Sequence, residues 1–482
     1  MSFRQILRIL GVLMLIYSVT LLPPFALSLY LEDGNATAFS VAFVDISVLG
    51  MLIWFPNRRC KQDLTPRDGF IVVLMFWLVF GSIGSLPFLL APHHELSIID
   101  ALFESFSGLT GTGGSVIADT DAIPASLNYY RHQLCFLGGM GIVVLAVAIL
   151  PMLGIGGMQL YKAETPGVVK DKLTPRITQT AKSLWLIYIG MNVVCTVALW
   201  MAGMSWFDAV CHSFSAVATS GFTTHSTSVA YFDSALIEMI LAFFMFVGAI
   251  NFGLHFMALR KGRFVAYWRD PELRFFAISL FLLISLITVS LSIQTSQPPL
   301  EALRHSIFMS TSLITTTGMA STDFNAWPGI LPFLVVSATI MGGMAGSTAS
   351  GVKPLRMLLA LKHSLREISR LLHPNGVFAL RLGRKTVSPR VIDAVWGFLT
   401  LYILVFIVMM WGLMATSGLD LVSAYGSVLS SLNNGGVGLG STASNFAGVA
   451  DPGKIIMICG MVLGRLEIFT VLVLFTPAFW RR

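Results

Sequence analysis

The chain has 482 residues, of which 55% are hydrophobic and 11% charged, against roughly 25% charged in an average soluble domain. Its apolar residues come in runs of around 20, the length that crosses about 30 Å of hydrocarbon; this excludes an ordinary soluble enzyme and makes the chain a polytopic membrane protein. The net charge of +7 is concentrated, because every Lys and Arg except Arg131, Arg304, Lys454 and Arg465 falls in residues 4–8, 58–67, 162–182, 260–274, 353–390 or 481–482. Every second connection is therefore basic, and the positive-inside rule predicts a multi-pass membrane protein with both termini in the cytoplasm. The charge speaks for orientation and for contact with anionic membrane lipid, not for nucleic acid.

In chain order, residues 7–30 and 39–55 predict a transmembrane hairpin occupying 1–67. A pattern then begins and recurs: a full apolar run, a short run of about 12 residues, a Gly/Thr/Ser segment and a second full run. The copies occupy 68–176, 177–273, 274–390 and 391–482, with short runs at 99–110, 206–219, 300–315 and 419–433. A short run joining two helices that cross in opposite senses enters and leaves on the same side, so each predicts a re-entrant helix. The expected fold class is an all-α polytopic membrane protein with ten spans, in which four pseudo-repeats of helix, re-entrant loop and helix surround a central pore.

The copies align on Gly113, Gly221, Gly318 and Gly436. Six positions before each stands Ser107, Ser215, Ser312 or Ser430, and twelve before stands Ala101, Ala209, Ser306 or Ala424. The segments closing the short helices are Thr110, Gly111, Thr112, Gly113; Ala218, Thr219, Ser220, Gly221; Thr315, Thr316, Thr317, Gly318; and Asn433, Asn434, Gly435, Gly436. None carries a charge. Non-helical backbone at membrane depth must line a cavity or be buried in protein, and glycine lets successive carbonyls turn inward. Four such segments around one axis would offer carbonyl rings that replace the water shell of a monovalent cation, with short-helix dipoles ending at the same place.

In these residues the chain resembles the Trk/Ktr/HKT superfamily of potassium transporters. It is closest to the bacterial TrkH-type subunits, which carry two extra N-terminal helices and a signature similar to residues 137–141 through 162–167. The resemblance implies a selectivity filter at the four glycines, potassium as substrate with rubidium as its analogue, no cofactor, a homodimer, and a TrkA-type cytosolic ring of nucleotide-binding subunits as regulator. Gly113 is the family's choice for potassium. Gly111, where the family usually has threonine, and Gly435, beside the fourth glycine, are expected to loosen the backbone.

The third copy differs in its second long run, where residues 341–351 include Gly342, Gly343, Gly346, Ser347, Thr348 and Gly351. At about 1 kcal/mol per glycine relative to alanine, this predicts a broken helix with a loop beneath the filter; close helix packing through small residues is the alternative. The resemblance implies that such a loop is a gate. Arg465 lies inside an apolar run, where an arginine faces a wet cavity or a partner. It reads either as a barrier charge below the filter, the role the resemblance implies, or as a structural tie to carbonyls, and Glu467 is a poor partner on another helix face. Asp100 and Asp208 sit where a carboxylate can cap a short helix, with attraction of cations to the pore mouth as the alternative. The five cysteines and nine histidines show no metal-ligand spacing, and no nucleotide-binding motif or catalytic set appears, so an enzyme is not expected. A carrier coupling potassium entry to protons or sodium is the alternative to a pore; its repeats are more often inverted, whereas these all start on the basic side.

Overall fold

The computed structural model describes residues 3–60, 66–92, 96–144, 177–262, 264–295, 297–376, 378–383 and 385–480. The signature at 162–167 and the inner part of the second run of copy 1 lie outside the described residues. The N-terminal hairpin is built from Phe3–Val19, Leu22–Leu31 and Ala36–Asn57. Pro23 and Pro24 open the second piece, and their missing N–H groups explain the interruption. The hairpin closes through glycine, since a Cβ on Gly11 would lie 2.8 Å from Trp54 N. Tyr17 and Tyr130 share a 2.8 Å hydroxyl contact, and Tyr130 donates to Gly84 O, which fastens the hairpin to repeat 1.

Each repeat contains the expected short helix: Ile98–Thr110, Trp206–Ala218, Pro299–Ile314 and Leu421–Leu432. One buried apolar cluster draws on the hairpin and on repeats 1 and 4, a second mainly on repeats 2 and 3. The short helices stand between them, buried along most of their lengths.

Six stretches, at Phe3–Leu31, Ala36–Asn57, Arg67–Leu89, Lys182–Met201, Pro271–Gln294 and Pro389–Ser417, are long and apolar enough to span a membrane. They are the hairpin and the first helix of every repeat. The second helices behave differently. The sequence predicts a break only in repeat 3, whereas the second helices of repeats 2 and 4 also bend, by 96° between Ala235–Gly248 and Phe252–Leu259 and by 103° between Asp451–Arg465 and Phe469–Phe475. Asn251 restarts the helix in repeat 2 by accepting from Gly253 N. In repeat 4 the turn is made at Glu467, whose φ is +53°.

The second helices of repeats 1, 2 and 4 also share a close approach to the short helices. A Cβ on Gly138 would lie 1.7 Å from Leu109 O, one on Gly248 2.7 Å from Val217 O, and one on Gly464 2.1 Å from Leu432 O. Those three carbonyls occupy one register, four residues before Gly113, Gly221 and Gly436. In repeats 1, 2 and 4 a bare backbone thus lies against the end of the short helix.

Candidate ion-conduction site

The short helices are fixed at both ends. Ser97 accepts from Asp100 N and donates to its carboxylate, and Ser205 does the same with Asp208. The serines are the caps, and the aspartates, expected in that role, hold the serine hydroxyls and add negative charge to the first helical turn. Asp100 also pairs with Lys454 at 2.6 Å, and Asp208 accepts from Thr224 Oγ1 at 2.7 Å. Asp420 caps the fourth helix, and Pro299 opens the third. In the loops beyond, Asp121 accepts from Ser226 N at 2.9 Å and meets His225 Nδ1 at 2.5 Å. These contacts, that of the Ser226 N–H foremost, hold the Asp121 carboxyl below the usual carboxylate range.

At the other ends the four chains turn alike. The residue two before each aligned glycine is left-handed: Gly111 at φ +73°, Thr219 at +52°, Thr316 at +57° and Asn434 at +53°. Next, the N–H groups of Thr112, Ser220, Thr317 and Gly435 return to the carbonyls of Ser107, Ser215, Ser312 and Ser430 at 2.7–2.8 Å. The serine register read from the sequence is thus a backbone anchor, and it spends the donors of the turn on the helix end.

The glycines then meet in cyclic order. A Cβ on Gly113 would lie 2.0 Å from Gly221 N, on Gly221 2.7 Å from Thr317 O, on Gly318 2.3 Å from Gly435 O, and on Gly436 2.4 Å from Thr112 O. The four loops therefore close a ring that no side chain at these positions can enter. Among the described residues no donor reaches the carbonyls of Thr112, Gly113, Ser220, Gly221, Thr317 or Gly318. The polar side chains around the ring, from Thr110 to Asn434, are buried, and none is charged.

The symmetry is twofold in its details. Thr110 and Thr112 pair their hydroxyls at 2.8 Å, as do Thr315 and Thr317. Ser107 donates to Gly114 O at 2.5 Å and Ser312 to Met319 O at 2.6 Å. Repeats 2 and 4 carry other devices, Ser220 facing Cys135 and Asn434 donating to Thr112 Oγ1 and Met461 O. Gly111 adopts the conformation that Thr219, Thr316 and Asn434 hold in the other repeats, so it relieves backbone strain rather than changing the turn. Gly435 keeps the common register, but its carbonyl also accepts from Val437 N at 3.0 Å.

Residues 341–353 form a loop directly below. Its neck closes where Val352 N and Lys353 N bond to Ile340 O and Met341 O, and a Cβ on Gly342 would lie 1.9 Å from Ser350 O. Met344 N bonds to Ala249 O, Thr348 N to Gly248 O and Phe252 N to Gly346 O, so the loop sits on the repeat 2 break. Thr348 Oγ1 donates to Val217 O and contacts Thr219 Oγ1, and Ser350 N donates to Thr316 Oγ1. Gly343, Gly346 and Ser347 lie inside it, with Gly346 and Gly351 left-handed.

Arg465 reaches the same place from repeat 4. Its Nη1 donates to Thr348 O at 2.7 Å and to Ser350 Oγ at 3.3 Å, and Nη2 to Gly138 O at 3.2 Å. A Cβ on Gly111 would stand 3.4 Å from Nη1. Among the described residues it has no carboxylate within ion-pair distance; Glu467 pairs with Arg356 instead. The guanidinium therefore spans repeats 1, 3 and 4 beneath the glycine ring, tied to carbonyls.

A family model described as TrkH, cation transport protein, matches residues 35–482. The chain is 50% identical over 483 residues to a Trk system potassium uptake protein TrkH of Halomonas elongata and 46% identical to that of Escherichia coli strain K12, with 100% of each chain covered in both cases. The chain belongs to the TrkH family. It superposes on the crystal structure of the potassium transporter TrkH from Vibrio parahaemolyticus with TM-score 0.93 at 46% identity, covering 100% of both chains. The TrkH family is one of transporters, not of enzymes. Among the described residues no group of three or more His, Cys, Asp or Glu side chains is arranged to hold a metal ion.

Sequence reading missed two parts of this TrkH-family site: Gly138, Gly248 and Gly464 behind the short helices, and the left-handed position before the ring. The second recurs two residues before each aligned glycine, which is the signal that could have found it, whereas Gly138, Gly248 and Gly464 follow their aligned glycines by 25, 27 and 28 residues and share no register. Thr348, expected within the loop at 341–351, makes its hydrogen bonds to distant residues.

Proposed function

We propose that the chain conducts potassium into a bacterial cell across the inner membrane, through a filter made by the carbonyls of the four loops. The ring closed by Gly113, Gly221, Gly318 and Gly436 carries this reading. Its free carbonyls can replace the water of a monovalent cation, while the absence of charge avoids trapping it. Loop 341–353 and Arg465 act as the gate: they bond to each other and to the loops above, so the inner pore opens only when those bonds break together.

A cytosolic nucleotide-binding regulator of the TrkA type would act from the basic segment. Helix Pro354–Leu372 leaves the gating loop directly and exposes Leu361, Leu365, Ile368 and Leu371 together with charged neighbours, a surface suited to a soluble partner. Two copies of the chain form the membrane unit.

The test is rubidium uptake into liposomes containing the full chain, driven by an internal potassium load. Potassium competes strongly and sodium and lithium weakly if the ring selects; equal competition by all three overturns selectivity. A current that reverses at the potassium equilibrium potential supports a pore, and a reversal that follows a proton or sodium gradient overturns it in favour of a coupled carrier.

A further inference from the structure

Beside the repeat 2 break a lateral cavity of about 900 Å³ opens between helix Ile177–Met201, the bent second helix of repeat 2 and helix Pro271–Gln294. Its walls are mostly hydrocarbon, with Leu186, Val194 and Phe243 exposed at the rim. Polar groups gather at one end, where Tyr267, Trp268 and Arg274 lie in and just before the first turn of a 24-residue span. Trp268 is 80% exposed and Arg269 beside it is also exposed. Aromatic rings and cations at the start of a span mark the headgroup level of the basic-loop leaflet. Of the carboxylates of the same turn, Glu272 is buried and accepts from Ala345 N, and Asp270 caps the helix through Leu273 N while also facing Arg274, which leaves Arg269 and Arg274 with one carboxylate between them.

This cavity touches the gating loop's seat. His255 joins Tyr267 Oη at 2.7 Å to Val247 O at 3.0 Å. Ile250 and Leu273 line the cavity and pack with Met344 and Ala349 of the loop. A helix with its side chains is about 10–12 Å across, whereas this space is a slot between helices that suits a flexible chain.

We propose that the groove binds one anionic phospholipid, an acyl chain in the cavity and the phosphate against Arg274 and Arg269, and that this lipid braces the break on which loop 341–353 sits. Gly190 supplies the test, because it lines the cavity and a Cβ there meets nothing within 4 Å. Gly190→Phe fills the slot without displacing the fold, and Arg274→Gln leaves the slot and removes a charge.

Native mass spectrometry of the full chain with added phosphatidylglycerol or phosphatidylcholine should show preferential retention of one phosphatidylglycerol per chain. Gly190→Phe abolishes that retention, and Arg274→Gln weakens it about fivefold, the effect of one cation near an anionic headgroup. Hydrogen exchange in residues 341–353 rises when the lipid is lost. Equal retention by wild type and both variants overturns the site, unchanged exchange overturns the bracing, and a loss of self-association in place of lipid assigns the groove to a second copy. None of these readouts depends on ion flux.

Discussion

Among the described residues Arg465 is held by three oxygens and no carboxylate, so it contributes a full positive charge beneath the ring together with charge-assisted bonds across repeats 1, 3 and 4. Each such bond is worth about 1.5–3 kcal/mol, and loss of one tie alone corresponds to at least about tenfold in an opening equilibrium. Arg465→Ala should therefore raise rubidium flux in liposomes about tenfold or more, and Arg465→Lys, which keeps the charge but not the fork, should fall between. Unchanged or lower flux in a correctly folded Arg465→Ala protein would remove the barrier role. Gly111→Thr should be mild, since Thr219 and Thr316 already occupy the same left-handed position. We expect a loss of about 1 kcal/mol, read as a small fall in thermal midpoint, with potassium preference retained. The four ring glycines and Arg465 were legible in the sequence because four copies could be aligned and because an arginine in an apolar run is conspicuous. The arginine's partners were not, since backbone carbonyls leave no mark on residue identity.

Among the elements, the short re-entrant helices were readable to within a residue or two, because their length forbids a crossing and their ends carry Ser and Asp or Pro. The breaks in repeats 2 and 4 were hidden. Ala235–Gly248 and Phe252–Lys261 form one apolar run, and hydropathy reports neither the bend within it nor the short-helix carbonyl that Gly248 lies against. Two element-scale outcomes follow from that contact. Gly138→Ala and Gly464→Ala place a methyl against Leu109 O and Leu432 O and should each cost about 1–3 kcal/mol as overpacking, visible as a clear drop in thermal stability, whereas Gly190→Ala, mid-helix and in open space, should hold or slightly raise it. Thr348→Val removes the hydroxyl bonds to Val217 O and Gly248 O, each at 3.0 Å, and keeps the shape. With the loop's hold on the repeat 2 break weakened, rubidium flux should rise; flux at the wild-type level in a folded variant would show that the backbone bonds of the loop suffice to keep it closed.

For the molecule as a whole, fourfold repetition positions the ring and a twofold pattern refines it. The serine six residues before each glycine gives its carbonyl to the turn in every repeat, but only Ser107 and Ser312 also give their hydroxyls to the loop, at Gly114 O and Met319 O. Among the described residues neither Ser215 nor Ser430 reaches a loop carbonyl; the Ser215 hydroxyl lies beside Cys135, and that of Ser430 has no hydrogen-bond partner. The repeat alignment shows four equivalent serines; which two act through their side chains depends on loop paths after the glycine, where the four sequences diverge. A filter that discriminates by coordination depends on how firmly its carbonyls are held, so the four serines should separate into two classes. Ser107→Ala and Ser312→Ala should each increase sodium's ability to compete with rubidium, by about fivefold for a lost bond of about 1 kcal/mol, while Ser215→Ala and Ser430→Ala leave competition unchanged. If all four variants shift competition equally, the serines act only as small residues behind the ring, and the two hydroxyl braces have no part in selection.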